Sequence, residues 1–256
     1  MKHGPIVGAG AMTADATFLA VSVLATALPA QAARLTIWDL KLGTPVAQMP
    51  AWIEFKGYAC GSNGGPVTTP LKGWDEFKKC RPDDKGLYEV YFEYDDEEEY
   101  IARAMDDGRL ARNAGTVDKQ FPVVTSALFD ANGILQAVRL ITDPRPDYKV
   151  DNFLAFLKTR EEHYLYGPFI TAQFNINIAN DCKKLELAPG EDTIGGQFTK
   201  LDCERVDEAK RARYVVQTRY YRKPGQYERD PQTNRLTEGQ FESWARAEVY
   251  WLGPAR

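Results

Sequence analysis

Cys60, Cys80, Cys182 and Cys203 are all the thiols of this chain, and their chemistry depends on where the chain folds. In an oxidising compartment they pair, whereas in a reducing one they hold metal or react. A zinc site needs a second cysteine or a histidine at short spacing, and none of the four has one. Three disulfide pairings are possible and sequence alone selects none. Cys60 with Cys80 and Cys182 with Cys203 is the expected pairing, because each closes a short loop and the two loops are nearly equal.

The N-terminus points to the oxidising side. Lys2 precedes an uncharged stretch over 16–28, then Pro29 and Ala30-Gln31-Ala32, the layout of a cleaved secretory signal ending at residue 32. A membrane-crossing helix needs about 20 apolar residues, and Pro29 closes this stretch early. No cysteine follows it to take a lipid. The expected product is periplasmic or secreted and does not span the membrane. Removing Lys2 and Asp15 takes one charge of each sign, so the net charge stays at −4. That balance offers nucleic acid no electrostatic attraction.

Other groups able to do chemistry are sparse. Beyond residue 32 the one histidine is His163, beside Glu161, Glu162 and Tyr164. A triad needs nucleophile, base and orienting group together, and no Gly-x-Ser-x-Gly stretch supplies the nucleophile turn. The acidic run Asp95-Asp96-Glu97-Glu98-Glu99 lacks the sharp internal turn of a calcium loop. It suits the first turn of a helix over 97–106, with Glu99 and Arg103 paired one turn apart. Gly61-Ser62-Asn63-Gly64-Gly65 is followed by Pro66 rather than the lysine of a phosphate loop, so it is expected to be a tight turn beside a disulfide. No catalytic residue, metal or cofactor is expected.

The segment 211–229 interleaves Arg211, Arg213, Arg219, Arg222, Lys223 and Arg229 with Tyr214, Tyr220, Tyr221 and Tyr227. Arginine and tyrosine give large contact area with directional hydrogen bonds, so Arg219, Tyr221, Arg222 and Tyr227 are the candidate binding residues. The competing account is a solvated strand whose arginines pair with Glu204, Asp207 and Glu208.

These groups must be positioned by strands and short helices. Thr44 and Pro45 suit a helix start, and a second short helix fits 69–79, with Trp74 and Phe77 beside Cys80. Residues 87–94 alternate as a strand, Glu89 and Glu93 facing away from Tyr88, Val90, Phe92 and Tyr94, on a face expected to be wet. Two alternating runs across 121–142 flank Asp130-Ala131-Asn132-Gly133, a hairpin signature. Asp143-Pro144-Arg145-Pro146 then breaks the pattern. Val150, Phe153, Leu154, Leu157 and Tyr164 recur at helical spacing until Gly167-Pro168. The stretch 169–178 alternates weakly, and 193–198 is a glycine-containing loop. Strands are expected over 214–221 and 241–252, with Ala245, Ala247, Val249 and Trp251 sharing a face. The fold class expected is α+β: antiparallel sheets with short helices packed on one face, in two disulfide-stapled lobes, 33–145 and 146–256. The similar distance from each cysteine pair to a following strand suggests two divergent copies of one unit.

Leu42-Gly43-Thr44-Pro45 and the hairpin Phe129-Asp130-Ala131-Asn132-Gly133-Ile134-Leu135 resemble the envelope proteins of the β-barrel assembly lipoprotein and β-lactamase-inhibitor-protein type. The resemblance covers about the first third and departs in lacking a lipidated cysteine and in its longer bridged loops. It implies helices followed by an antiparallel sheet, and a binding module rather than an enzyme. Together with the arginine-tyrosine segment, the expectation is a non-enzymatic envelope module recognising an envelope protein or an anionic polymer. Two rivals stand beside it. One is a carboxylate-dependent hydrolase of polysaccharide, requiring two acidic side chains in one aromatic-lined cleft. The other is a structural accessory subunit with an exposed apolar patch.

Overall fold

Period-two alternation of aromatic and β-branched residues makes strands the main regular structure among the described residues. The computed structural model describes residues 37–50, 55–94, 116–119, 121–144, 160–226, 232 and 241–254, all within the unit Arg34–Arg256. The secretory signal, the helix over 97–106 with its acidic run, the helical stretch 150–159 and Tyr227 lie outside the described residues. The strands are β1 (Phe55–Cys60), β2 (Tyr88–Tyr94), β3 (Thr116–Asp118), β4 (Phe121–Phe129), β5 (Leu135–Thr142), β6 (Cys182–Lys184), β7 (Thr199–Asp207), β8 (Ala212–Tyr221) and β9 (Glu242–Trp251). All nine form one sheet in the order β1-β2-β4-β5-β9-β8-β7-β6, with β3 also on β4. Every pairing is antiparallel. Among the described residues the protein is therefore sheet-rich, with few and short helices, rather than the expected α+β balance. Strands from both halves meet where β5 pairs with β9.

The hairpin of β4 and β5 forms as expected, with a longer turn than Asn-Gly alone implies. Asp130 Oδ1 accepts from the Asn132 and Ile134 amides at 2.9 and 3.0 Å, an Asx turn. Of the Asn-Gly pair, only Gly133 has positive φ, at 75°. The segment after Leu42 laces onto this turn: Val46 N donates to Gly133 O at 2.6 Å and Leu135 N to Thr44 O at 2.9 Å. A 3-10 turn, Val46–Gln48, follows Pro45 without a side-chain cap from Thr44.

One face of the sheet builds the main core. Val90, Phe92, Phe121, Phe129, Leu135 and Leu140 are fully buried there. Trp74 and Phe77, in a 3-10 helix Trp74–Lys79, pack against Phe92 and Phe129. In the second half the helix α1 (Tyr166–Gln173) contributes Tyr166 and Ile170 to the same cluster. Its start corrects the sequence expectation, because Gly167-Pro168 opens this helix rather than ending one. Pro168 lies in the first turn, where a backbone N–H has no intrahelical partner. Gly167 is required by packing: a Cβ there would lie 2.1 Å from Thr218 Oγ1 on β8. The weakly alternating 169–178 stretch is thus helical up to Gln173, with a second short helix, α2, at Ile178–Asp181.

Both disulfides take the expected pairing, Cys60–Cys80 and Cys182–Cys203. Their settings differ. Cys60 ends β1 and is tied to the residue after the 3-10 helix, whereas Cys182 and Cys203 are direct cross-strand partners of β6 and β7.

Candidate functional site

Cross-strand register fixes which side chains share the second face. Arg219 stands opposite Lys200 and Trp244, Gln217 opposite Asp202 and Arg246, Val215 opposite Glu204 and Glu248, and Arg213 opposite Val206 and Tyr250. Cations lie over aromatic rings along these three strands: Lys200 over Tyr221 at 4.6 Å, Arg219 over Trp244 at 5.3 Å and Arg213 over Tyr250 at 4.7 Å. Such contacts brace the cations against neighbouring aromatic rings. Val206 stands out at 47% exposure.

The same face carries matching anions. Arg219 bonds Asp202 at 2.5 Å and the Leu201 carbonyl at 2.7 Å. Arg213 meets Glu204 at 3.6 Å, Lys200 meets Glu191 at 2.6 Å, and Arg222 pairs with Asp192 across the 192–222 bridge. The structure thus gathers Arg219 and Tyr221 on the second sheet face, the Arg219 side chain 11% exposed, and sets Arg222 at the end of β8. The sequence missed Trp244, Tyr250 and Lys200, which register alone brings to this face. Asp202 was also missed as a partner, although it lies directly beside the arginines in the folded sheet.

Toward β5 this face closes over buried ions, which corrects the expectation that Glu89 is wet. Arg139 bonds Glu248 Oε1 at 2.5 Å and Glu89 Oε2 at 3.0 Å, and Arg246 bonds Glu248 at 2.6 Å. The glycine-rich turn lies over the cluster, its Asn63 amide donating to Glu89 at 2.8 Å. Asn63 adopts φ 59° and Gly64 φ 84°, and a Cβ on Gly64 would meet Ile141 at 2.5 Å. Burial pushes the Glu248 carboxyl up, but the Arg246 hydrogen bond and the Arg139 and Arg246 charges leave it below its ordinary value. Burial pulls Arg139 down while Glu89 and Glu248 raise it further, for a net rise.

His163 is 4% exposed in the 3-10 turn Arg160–Leu165. Burial lowers its pKa to about 4, Asp143 opposing and Arg160 reinforcing the shift. The unfolded imidazole takes up a proton near pH 6.5, whereas the folded one does so only near 4. Stability is therefore lost as pH falls from about 6.5 toward 4. The expected measurement is a His163 ring resonance that does not titrate between pH 8 and 5; a midpoint near 6.5 would refute it. Elsewhere, the Tyr166 hydroxyl donates to Asp118 at 2.6 Å, and burial raises the pKa of both groups.

A groove of about 460 Å³ runs between Trp38–Leu42 and the β8 and β9 ends, walled by Trp38, Leu42, Tyr214, Val249 and Trp251. Among the described residues, no group of three or more His, Cys, Asp or Glu is arranged to hold a metal, and no helix is long and apolar enough to cross a membrane. No protein-family model, curated protein or solved structure matches the chain.

Proposed function

We propose that this protein is an exported binding module of the cell envelope that engages a protein partner through the open face of β7, β8 and β9. The observation behind it is the row of arginines and lysine stacked on Trp244, Tyr250 and Tyr221. Tryptophan, tyrosine and arginine dominate interface hot spots, and here their rotamers are braced before a partner arrives, which lowers the entropic cost of docking. A protein is favoured over an anionic polymer because Arg213, Arg219 and Lys200 each already face a carboxylate, and polyanion binding needs an excess of positive charge. Export is supported by the two disulfides, which persist in oxidising compartments.

The hydrolase reading is weaker. Among the described residues, Glu89 and Glu248 are brought together through Arg139. A general acid needs a raised pKa, while that of Glu248 is lowered.

The test is a photocrosslinking residue at Val215 on the open face, with one at Phe169 on α1 as control. Expected is one discrete protein adduct from Val215 alone. With that protein purified, Trp244→Ala weakens its binding about tenfold or more, roughly 1.4 kcal/mol. Equal adducts from both positions, adducts to glycan alone, or unchanged affinity of the variant would each overturn the proposal.

A further inference from the structure

Where β5 ends and β9 begins, a second cavity of about 230 Å³ opens beside the Arg160–Leu165 turn. We infer that it is a binding site for a small monocarboxylate with an apolar body, whose head group lies between Arg160, Arg246 and the His163 ring. The inference is independent of the protein-partner reading, although Trp244 borders both surfaces.

The lining is mixed in chemistry. Ile141, Pro144, Phe241 and Trp244 give apolar surface, and Arg160, Arg246 and His163 line the same cavity. Ser243, Thr142 and Glu242 at the cavity are committed internally, and Arg246 bonds Glu248 at 2.6 Å. Ser243 Oγ donates to the Glu161 carbonyl at 2.8 Å and accepts from the Tyr164 amide at 3.2 Å. Thr142 Oγ1 accepts from the Ala245 amide at 3.0 Å and donates to its carbonyl at 3.4 Å. Glu242 is held by Lys223 and by the Trp244 indole N–H. Arg160 and His163 differ. Arg160 makes no ion pair among the described residues, whereas Arg205, Arg213, Arg219 and Arg246 each do. The His163 ring is 4% exposed, yet no hydrogen bond to it is found among the described residues. A bound carboxylate oxygen would accept the His163 N–H while meeting the Arg160 guanidinium in a charge-assisted contact.

The same residues set selectivity. Glu242 on the rim repels a second negative group, so a monoanion is preferred to a di- or trianion. The volume is below the ~300 Å³ at which sites for drug-sized ligands begin, which limits the occupant to a fragment such as an aryl or short-chain acid.

The test titrates benzoate and, separately, benzyl alcohol into the isotope-labelled full chain, following the Trp244 indole N–H and the His163 ring by NMR. Expected is saturable benzoate binding with Kd near 1 mM or tighter, and benzyl alcohol weaker by about tenfold or more. Arg160→Gln loses about tenfold in benzoate affinity, leaves benzyl alcohol unchanged and melts normally, and Arg160→Lys restores part of the loss. Equal binding of acid and alcohol, no saturation by about 10 mM, or full benzoate affinity in Arg160→Gln would overturn the inference.

Discussion

An Arg139→Met variant unfolds with about 3–5 kcal/mol less stability than the native protein, the typical cost of removing one partner from a buried ion pair. Arg139 is 5% exposed, and Glu89 and Glu248, at 7% and 5%, both depend on it. The substitution keeps most of the side-chain volume, so the loss reports charge rather than a cavity. Glu248 retains Arg246, which makes Glu89 the group left stranded; its Oε1 already lacks a hydrogen-bond partner. The pH dependence then separates the two proteins. In the native chain, the lowered Glu248 pKa gives stability that is present above the ordinary carboxylate value and lost as pH falls through the folded one. In Arg139→Met the Arg139 charge and hydrogen bond that help to lower Glu248 are gone, so this acid-side loss is smaller. A triple variant, Glu89→Leu with Arg139→Met and Glu248→Leu, recovers most of the stability, because apolar replacement of a whole buried network is often neutral or stabilising. Urea midpoints at constant m-value measure all three. A loss below about 1 kcal/mol in Arg139→Met would mean that water reaches the cluster and that it behaves as a surface pair.

Glu89 also shows where the sequence stops being informative. Its alternation with Val90 and Phe92 correctly places it on the opposite face of β2, and polar residues on an alternating strand ordinarily face water. What buries it is non-local: Arg139 arrives from β5, Glu248 from β9, and the Asn63 turn lies over all three. Strand identity was legible for β2, β4, β5, β8 and β9 because period-two patterning is local. Both disulfides were legible because short loops close at low entropic cost. Sheet order was not, since the pairing of β5 with β9 joins residues more than a hundred positions apart. For the same reason the arginines of β8 were visible as a segment, but Trp244 and Tyr250, which their guanidiniums cover, came from the face of a strand read only for Ala245, Ala247, Val249 and Trp251 on its other side. The misplaced helix boundary at Gly167-Pro168 has a different cause. Proline ends a helix or sits in the first turn of one, and the deciding contact, Gly167 against Thr218, is tertiary.

Removing the Cys60–Cys80 bridge by paired alanine substitution costs about 3 kcal/mol on the chain-entropy account, with a sequence separation of 20. Cys182–Cys203 closes an almost identical loop, separation 21, so loop entropy alone predicts the same loss for Cys182→Ala with Cys203→Ala. The native-state consequences nevertheless diverge. Cys60 and Cys80 are 3% and 5% exposed and join the cluster containing Trp74, Phe77 and Phe92, so their loss removes core packing in addition to the tether and should exceed the entropic figure. The second bridge staples the sheet edge, where the short β6 leads into the loop bearing Glu191 and Asp192, the partners of Lys200 and Arg222. Its loss should also exceed the entropic figure, because Cys203 is 3% exposed in the same cluster with Cys182 packed against it, and should in addition raise amide exchange in β6 and residues 185–198, freeing two cations at the margin of the β7, β8 and β9 face. Partner affinity is then expected to change in the second pair of variants and to hold in the first under conditions where both remain folded. Equal exchange profiles for the two would show that the bridges act only through the unfolded chain, and would separate the braced cations of β7 and β8 from any dependence on the disulfide beside them.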